Sequence, residues 1–431
     1  MMDSHKDKTI YVYDSFSDDE PLYMGCLFSE VIRGEETFSF CYDRSWLLAH
    51  DGMELDPFLH GYEGRQYLPL DKKQFGVFAD SSPDRWGRTL LKRNEAIVAK
   101  KENRPAVTLL ESDFLLGVND ATRIGGLRFK TDKDGPFLST SDGSVPPMIR
   151  LRELENASIG FENDDELSTN LELLLPPGSS LGGARPKANV VDENGNLWIA
   201  KFPSKNDEED VGAWEYVAHE LAVLCGLKTP EAKLCKFSNY GSTYLSKRFD
   251  RDADKRIHFA SAMTILGKED GESNECSYLD LLEFLLSFGA MPKEDAKELW
   301  RRIVFNIAIK NTDDHLRNHG FIWSRKGWIL SPAYDINPNP DGSCLSLNIM
   351  ENSSLLDFNL ALDTSFYYGV SRADGEKYIA TVVSVVEKNL SIIAKKAGIG
   401  DRSIERMCQI LTERRGNPSF LFKTCARCFY C

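Results

Sequence analysis

The clearest periodicity in the chain runs through MPKEDAKELWRRIVFNIAIKN, where Ala296, Leu299, Trp300, Ile303, Val304, Ile307 and Ala308 recur at three- and four-residue intervals. Side chains spaced in this way share one face of a helix, so a core-facing helix is expected, with Pro292 suited to its first turn. TIYVYD and LYMGCLF, flanking the turn-like DSFSDDEP, predict two strands within residues 8–28. A helix is expected after Ser82, with Pro83 near its first turn and mixed apolar and charged faces in RWGRTLLKRNEAIVAKK. RIGGLRF (123–129) reads as a strand with two glycines at its centre. TDKDGPFLSTSDGSVPP (131–147) is rich in Gly, Pro, Ser and Asp and reads as an exposed linker.

Two helical patterns follow, near 148–157 and 164–175, and then a glycine-rich loop, PPGSSLGGARPKA. Strands at ANVVD and LWIAKF flank the turn ENGN, followed by a helix near 211–226 and strands near 232–237 and 242–249. Beyond these the chain reads as helical, with helices near 374–397 and 402–415 and an apolar strand, WIL, at 328–330. The pattern predicts an α+β chain in four parts. These are an N-terminal unit, 1–147, ending in the linker 131–147; an α+β unit, 148–250; a mainly helical unit, 251–415; and a tail, 416–431.

The 431 residues are 42% apolar and 27% charged, as in ordinary globular proteins. A net charge of −14 repels phosphate backbones, so no autonomous nucleic-acid binding is expected, although a basic partner could bind DNA in the chain's place. The N-terminal residues lack an apolar h-region, and no 18 apolar residues run together. A cytoplasmic protein with no membrane segment is therefore expected. Seven of the ten cysteines stand alone, without a disulfide framework. Cys425, Cys428 and Cys431 cluster, but three ligands fall one short of a structural zinc site, and no metal is assigned there.

Candidate chemistry begins with NTDDHLRNHGF (311–321), which directly follows the apolar helix. Asp313 and Asn318 stand in the spacing D-x-x-x-x-N. In protein kinases a catalytic loop of this spacing uses the aspartate to receive the substrate hydroxyl proton and the asparagine to hold magnesium. Asp314 is a rival for the base. His315 either orients the loop or is a structural histidine. After the strand WIL, SPAYDIN offers Asp335 as a second hard-oxygen ligand for Mg²⁺. Each motif is short, and their order carries the argument.

The second signal is GSSLGGARPK (178–187). Here Gly178, Ser179, Ser180, Gly182, Gly183 and Lys187 are candidates for cradling an anion, because glycines let successive backbone N–H groups converge. The pattern is neither G-x-G-x-x-G nor G-x-x-x-x-G-K-[ST]. Lys201, flanked by Ile199, Ala200 and Phe202 on a half-buried strand, needs a partner. In kinases such a lysine pairs with ATP phosphates and a helix glutamate. Glu215 is the candidate partner, and Glu220 is the other glutamate of that helix.

In this order SSLGGARPK, WIAKFP, KRFDR (247–251), NTDDHLRN and SPAYDI resemble the HipA family of bacterial serine/threonine kinases, the toxins of type II systems. SSPDRWGR (81–88), DFLLGVND (113–120) and RIGGLRF are similar to that family's N-terminal subdomain, so the resemblance covers roughly residues 8–415. It implies a two-lobed kinase-like fold with a mixed α/β N-terminal lobe and a mainly helical C-terminal lobe, using ATP and Mg²⁺. It casts Asp313 as catalytic, Asn318 and Asp335 as metal ligands and Lys201 as the phosphate lysine, and it puts Arg248 and Phe249 at the adenine. Ser180 matches a loop serine that the family autophosphorylates, with Ser179 adjacent. The resemblance further implies a protein substrate, such as an aminoacyl-tRNA synthetase, and a DNA-binding antitoxin partner. A small-molecule or lipid-type kinase and a pseudokinase acting as a binding module are the alternatives. The acidic stretches ENDDE (162–166) and NDEED (206–210) and the tail depart from the family pattern.

Overall fold

A computed structural model describes residues 7–138, 145–165, 167–178, 180 and 183–413. The cysteine cluster of the tail lies outside them. The N-terminal part is an antiparallel sheet of β1 (Lys8–Asp14), β2 (Leu22–Ile32), β3 (Glu35–Tyr42), β4 (Arg65–Tyr67) and β5 (Leu127–Lys130), in the order β4-β3-β2-β1-β5. Alternate residues Ile10, Val12, Phe38 and Phe40 point into the core, as the period of two requires. β5 starts past the two glycines of RIGGLRF rather than around them. Gly126 lies against the Phe16 ring, with room for no Cβ, and so belongs to a close crossing instead of the strand.

Helix α1 (Arg85–Lys101) follows, with Asp84 as its N-cap and Pro83 just outside. Next come α2 (Leu151–Glu162) and α3 (Leu167–Gly178), and then an antiparallel sheet of β6 (Lys187–Val191), β7 (Leu197–Lys201), β8 (Ala232–Cys235) and β9 (Thr243–Lys247). Its strand order is β6-β7-β9-β8, with α4 (Val211–Leu224) between β7 and β8. One apolar cluster joins Trp86 and Leu90 of α1 to Leu154, Phe161, Leu174, Val190 and Trp198. Helix α1 of the N-terminal part therefore packs into the core of the second sheet.

The C-terminal part carries α5 (Tyr278–Phe288), α6 (Pro292–Ile309), α7 (Arg372–Lys396) and α8 (Asp401–Glu413). All seven residues of the predicted stripe on α6 are buried. This part is less purely helical than expected. A two-stranded ribbon, β10 (Arg251–Asp252) and β11 (Lys255–Arg256), precedes a three-stranded sheet of β12 (Phe259–Ser261), β13 (Gly320–Ser324) and β14 (Gly327–Leu330). GFIWS is too short a run to announce itself as a strand; it becomes one by pairing with WIL across a tight turn. A single larger core runs from Phe40 through Trp214 of α4 to Leu299 of α6 and Val382 of α7. No helix among the described residues is long and apolar enough to cross a membrane.

The end of β9 is tied to the N-terminal part by buried charge. Asp250 accepts from Arg248 Nε at 2.8 Å and Nη2 at 2.5 Å, from Arg251 Nη1 at 2.8 Å and from the Gly125 backbone N–H at 2.8 Å. Arg248 also donates to the carbonyls of Thr122 and Arg123. Burial opposes the charge on Asp250, but the two guanidinium groups outweigh it and hold the carboxyl far below the usual range. Removing one member of a buried, hydrogen-bonded charge set costs about 3–5 kcal/mol. Asp250→Ala should therefore lower unfolding stability by that amount in a urea titration. A loss below about 1 kcal/mol would show that the backbone carbonyls alone satisfy the arginines.

Candidate active site

The described residues of the glycine-rich segment are held by contacts from neighbouring elements. α3 continues through Pro176 and Pro177 to Gly178, so Gly178 closes a helix instead of opening the loop as expected. A Cβ there would stand 2.8 Å from Leu90 Cδ1 and 3.2 Å from the Lys187 carbonyl; the glycine serves close packing. Ser179 and Gly182 lie outside the described residues. The Ser180 hydroxyl is buried and accepts from Asn189 Nδ2 at 3.0 Å, and the same amide donates to the Pro177 carbonyl at 2.8 Å. Gly183 takes φ +76°, a left-handed conformation that glycine adopts at little cost. Beyond it Arg185 forms a two-point ion pair with Asp207, at 2.5 and 2.6 Å.

β6 and β7 place Lys187 directly opposite Lys201. Like charges facing each other across a strand pair are unfavourable, so anionic partners are required. Lys201 has two: Glu215 Oε1 of α4 at 2.5 Å and Asp335 Oδ1 at 2.7 Å. Burial opposes the charge on Lys201, but Asp335 and Glu215 more than offset it and hold the ammonium firmly protonated. Asp335 is likewise held far below the usual carboxylate range, because Lys201 and Lys187 outweigh its burial. Its backbone sits at φ +55°, a conformation non-glycine residues rarely hold outside over-determined sites. For Lys187, burial and the neighbouring Lys201 lower the pKa to about 8.

On the other side, α6 ends in a left-handed Lys310 and leads into the loop of Asp313 and Asn318. The two neighbouring aspartates differ completely. Asp314 is buried, accepting from the Tyr278 hydroxyl at 2.5 Å and from the Ser346 backbone at 2.6 Å. Burial raises its pKa to about 6, and with both oxygens engaged it anchors the loop. Asp313 is exposed, with Oδ1 at 3.7 Å from His315 Nε2. Desolvation raises its pKa, His315 and Lys201 oppose the rise, and the charge of Asp335 adds to it. Asn318 donates its amide to the Asp313 carbonyl at 2.6 Å, which leaves its Oδ1 available to a cation.

Arg248, expected beside an adenine, is instead buried in the Asp250 network and also donates to Asn189 Oδ1 at 2.8 Å. Phe249 is half-buried, its ring 5.5 Å from Tyr334 and 6.0 Å from Phe259. Tyr278, Asn189 and Asp84 escaped the sequence reading. Asp84 caps α1, and nothing local signals that Tyr278 reaches Asp314 or that Asn189 reaches the loop. A clamped cation between two carboxylates, a second lysine, and an exposed carboxylate beside a free amide oxygen form a set suited to a polyphosphate with a hard divalent metal.

Comparison with known proteins accords with this geometry. Residues 179–390 match the HipA-like C-terminal domain. A Haemophilus influenzae protein named "Putative kinase" is 28% identical over 189 residues, 38% of this chain and 54% of that relative. The "Putative kinase Y4dM" of Sinorhizobium fredii is 27% identical over 158 residues, 34% of this chain and 38% of that relative. The chain thus spans about half or less of the relatives it matches. HipA of Shewanella oneidensis, solved with HipB and operator DNA, superposes with a TM-score of 0.64 at 15% identity, over 94% of this chain and 95% of that one. The chain shares the two-lobed, kinase-like fold of that structure, and its residues 179–390 are similar to the HipA-like C-terminal domain.

Proposed function

We propose that this chain is an ATP-dependent protein kinase that transfers the γ-phosphoryl group to a serine or threonine hydroxyl. The observation that carries the reading is the Lys201 ammonium clamped between Glu215 and Asp335, with Asp313 close enough to feel the charges of both Lys201 and Asp335. ATP would supply the phosphoryl group and Mg²⁺ would neutralise its charge. The facing lysines Lys187 and Lys201 suit the phosphates, and the Asn318 amide oxygen and the Asp335 carboxylate suit the metal. Lys201 and Asn337 both approach Asp335 Oδ1, which leaves Oδ2 for a metal ligand. Asp313, exposed on its loop, would accept the proton of the acceptor hydroxyl. The family resemblance supplies a translation-related protein, such as an aminoacyl-tRNA synthetase, as the substrate class. A DNA-binding antitoxin partner is supported by the HipB complex of the Shewanella structure and fits a chain too acidic to hold DNA alone.

Asp313→Asn should lower kcat by about 10²–10⁴, the usual worth of a positioned base, with the affinity for ATP kept. In the wild type the acidic limb of the pH–rate profile should lie above the ordinary aspartate range, since the base is lost once pH falls through a raised pKa. Near-wild-type turnover of the variant would remove Asp313 from the mechanism.

Asp335→Ala should abolish the magnesium dependence of ATP binding, since Mg²⁺ takes few protein ligands. Titrations with and without the metal decide it, and an unchanged dependence would count against the assignment.

Self-phosphorylation on Ser180 would require the loop to leave Asn189, because the hydroxyl is buried in the arrangement described. A phosphate carries nearly two charges and would keep the loop out. Incubation with Mg·ATP should add one phosphate to peptides spanning 179–187, with slower nucleotide binding afterwards. An active preparation with both serines unmodified would sink the self-inactivation idea.

A further inference from the structure

Gly183, the left-handed turn of the loop, is held at both of its backbone polar groups by one turn of a distant helix. Its N–H donates to Asp84 Oδ2 at 2.8 Å, and its carbonyl accepts from the Trp86 backbone N–H at 3.0 Å. Trp86 Nε1 also donates to the Lys187 carbonyl at 2.8 Å. Asp84 and Trp86 open α1, roughly a hundred residues earlier in the chain, and Trp86 is buried in the apolar cluster beneath the second sheet. The other oxygen of Asp84 caps its own helix, accepting from the Arg85 N–H at 2.8 Å.

We infer that Asp84 is a positioning residue of the nucleotide site. Its carboxylate latches the Gly183 turn, so that the loop and Lys187 are set for phosphates before a nucleotide arrives. The inference rests on the nucleotide reading above. A glycine-rich loop loses more backbone entropy on ordering than any other segment. Bonds made in the free protein remove that cost from the binding step, which is how preorganisation raises affinity. A helix cap alone would use one oxygen of Asp84; here the second crosses to the loop. The helix of the N-terminal part thereby contributes to a site whose charged residues all lie beyond residue 180.

Asp84→Ser separates the two roles. Serine is as good an N-cap as aspartate, but it has a single, shorter-reaching oxygen and cannot also hold Gly183. In the full chain, hydrogen exchange should speed up about tenfold in the segment 183–187 while β7 and β9 keep their protection. The Kd for Mg·ATP should rise about tenfold, the scale of one hydrogen bond to a charged group. Unchanged exchange at Gly183 would overturn the latch. Protection lost evenly across the sheet would reduce Asp84 to a stabiliser of the fold and overturn it as well. A loosened loop with unchanged Mg·ATP affinity would remove the positioning role while the nucleotide reading stands. A wild-type chain that binds no Mg·ATP would sink that reading and the role with it.

Discussion

A buried lysine is costly unless anions meet it, and the arrangement around Lys201 turns that cost into a constraint on the whole molecule. Its ammonium is shared by Glu215, on the helix after its own strand, and Asp335, which lies 134 residues further along the chain. Removing a partner would leave charge stranded at low dielectric. The second sheet and the segment after β14 therefore have to meet at one point. Asp335 is held there in a left-handed backbone conformation, a strain that persists only where surrounding contacts over-determine it. The site is consequently narrow in its geometry, with a fixed cation held between two carboxylates.

The same logic explains why the N-terminal part is more than an appendage. It enters the second sheet's core through Trp86 and Leu90, meets the end of β9 through the Asp250 network, and holds the glycine loop through the first turn of α1. Each attachment satisfies a group that would otherwise be buried without a partner or left to wander: two guanidinium groups, an indole N–H, the backbone of a glycine. A loop rich in glycine and serine carries little information about its own conformation. The information comes from the helix beside it.

Asp313 and Asp314 show how little residue type decides. They are adjacent, of one chemistry, and both sit after a strongly apolar helix. Tyr278 and Ser346, on segments before and after, take both oxygens of Asp314. That fixes one carboxylate as an anchor and turns its neighbour outward. Asn318 then closes the loop by donating its side-chain amide to the Asp313 carbonyl.

Much was legible locally. The α6 stripe, the strands around Lys201, the helix carrying Glu215 and the order of loop, strand and aspartate follow from periodicity and spacing, which nearest neighbours encode. Of the sheet β12–β14 only WIL in β14 was legible; β12 and β13 are too short to show a period and exist only through pairing. Nor was the fate of Arg248 legible, which the family resemblance puts at an adenine but whose guanidinium is captured by Asp250 and by carbonyls near residue 122. Gly178 read as part of the glycine-rich loop PPGSSLGGARPKA, yet α3 runs through Pro176 and Pro177 to it, packed against Leu90. The sequence by itself determined which chemical groups were present and in what order they follow one another. Only the tertiary structure decided which of them are buried, and a buried polar group takes whichever partner the fold brings near, however distant along the chain.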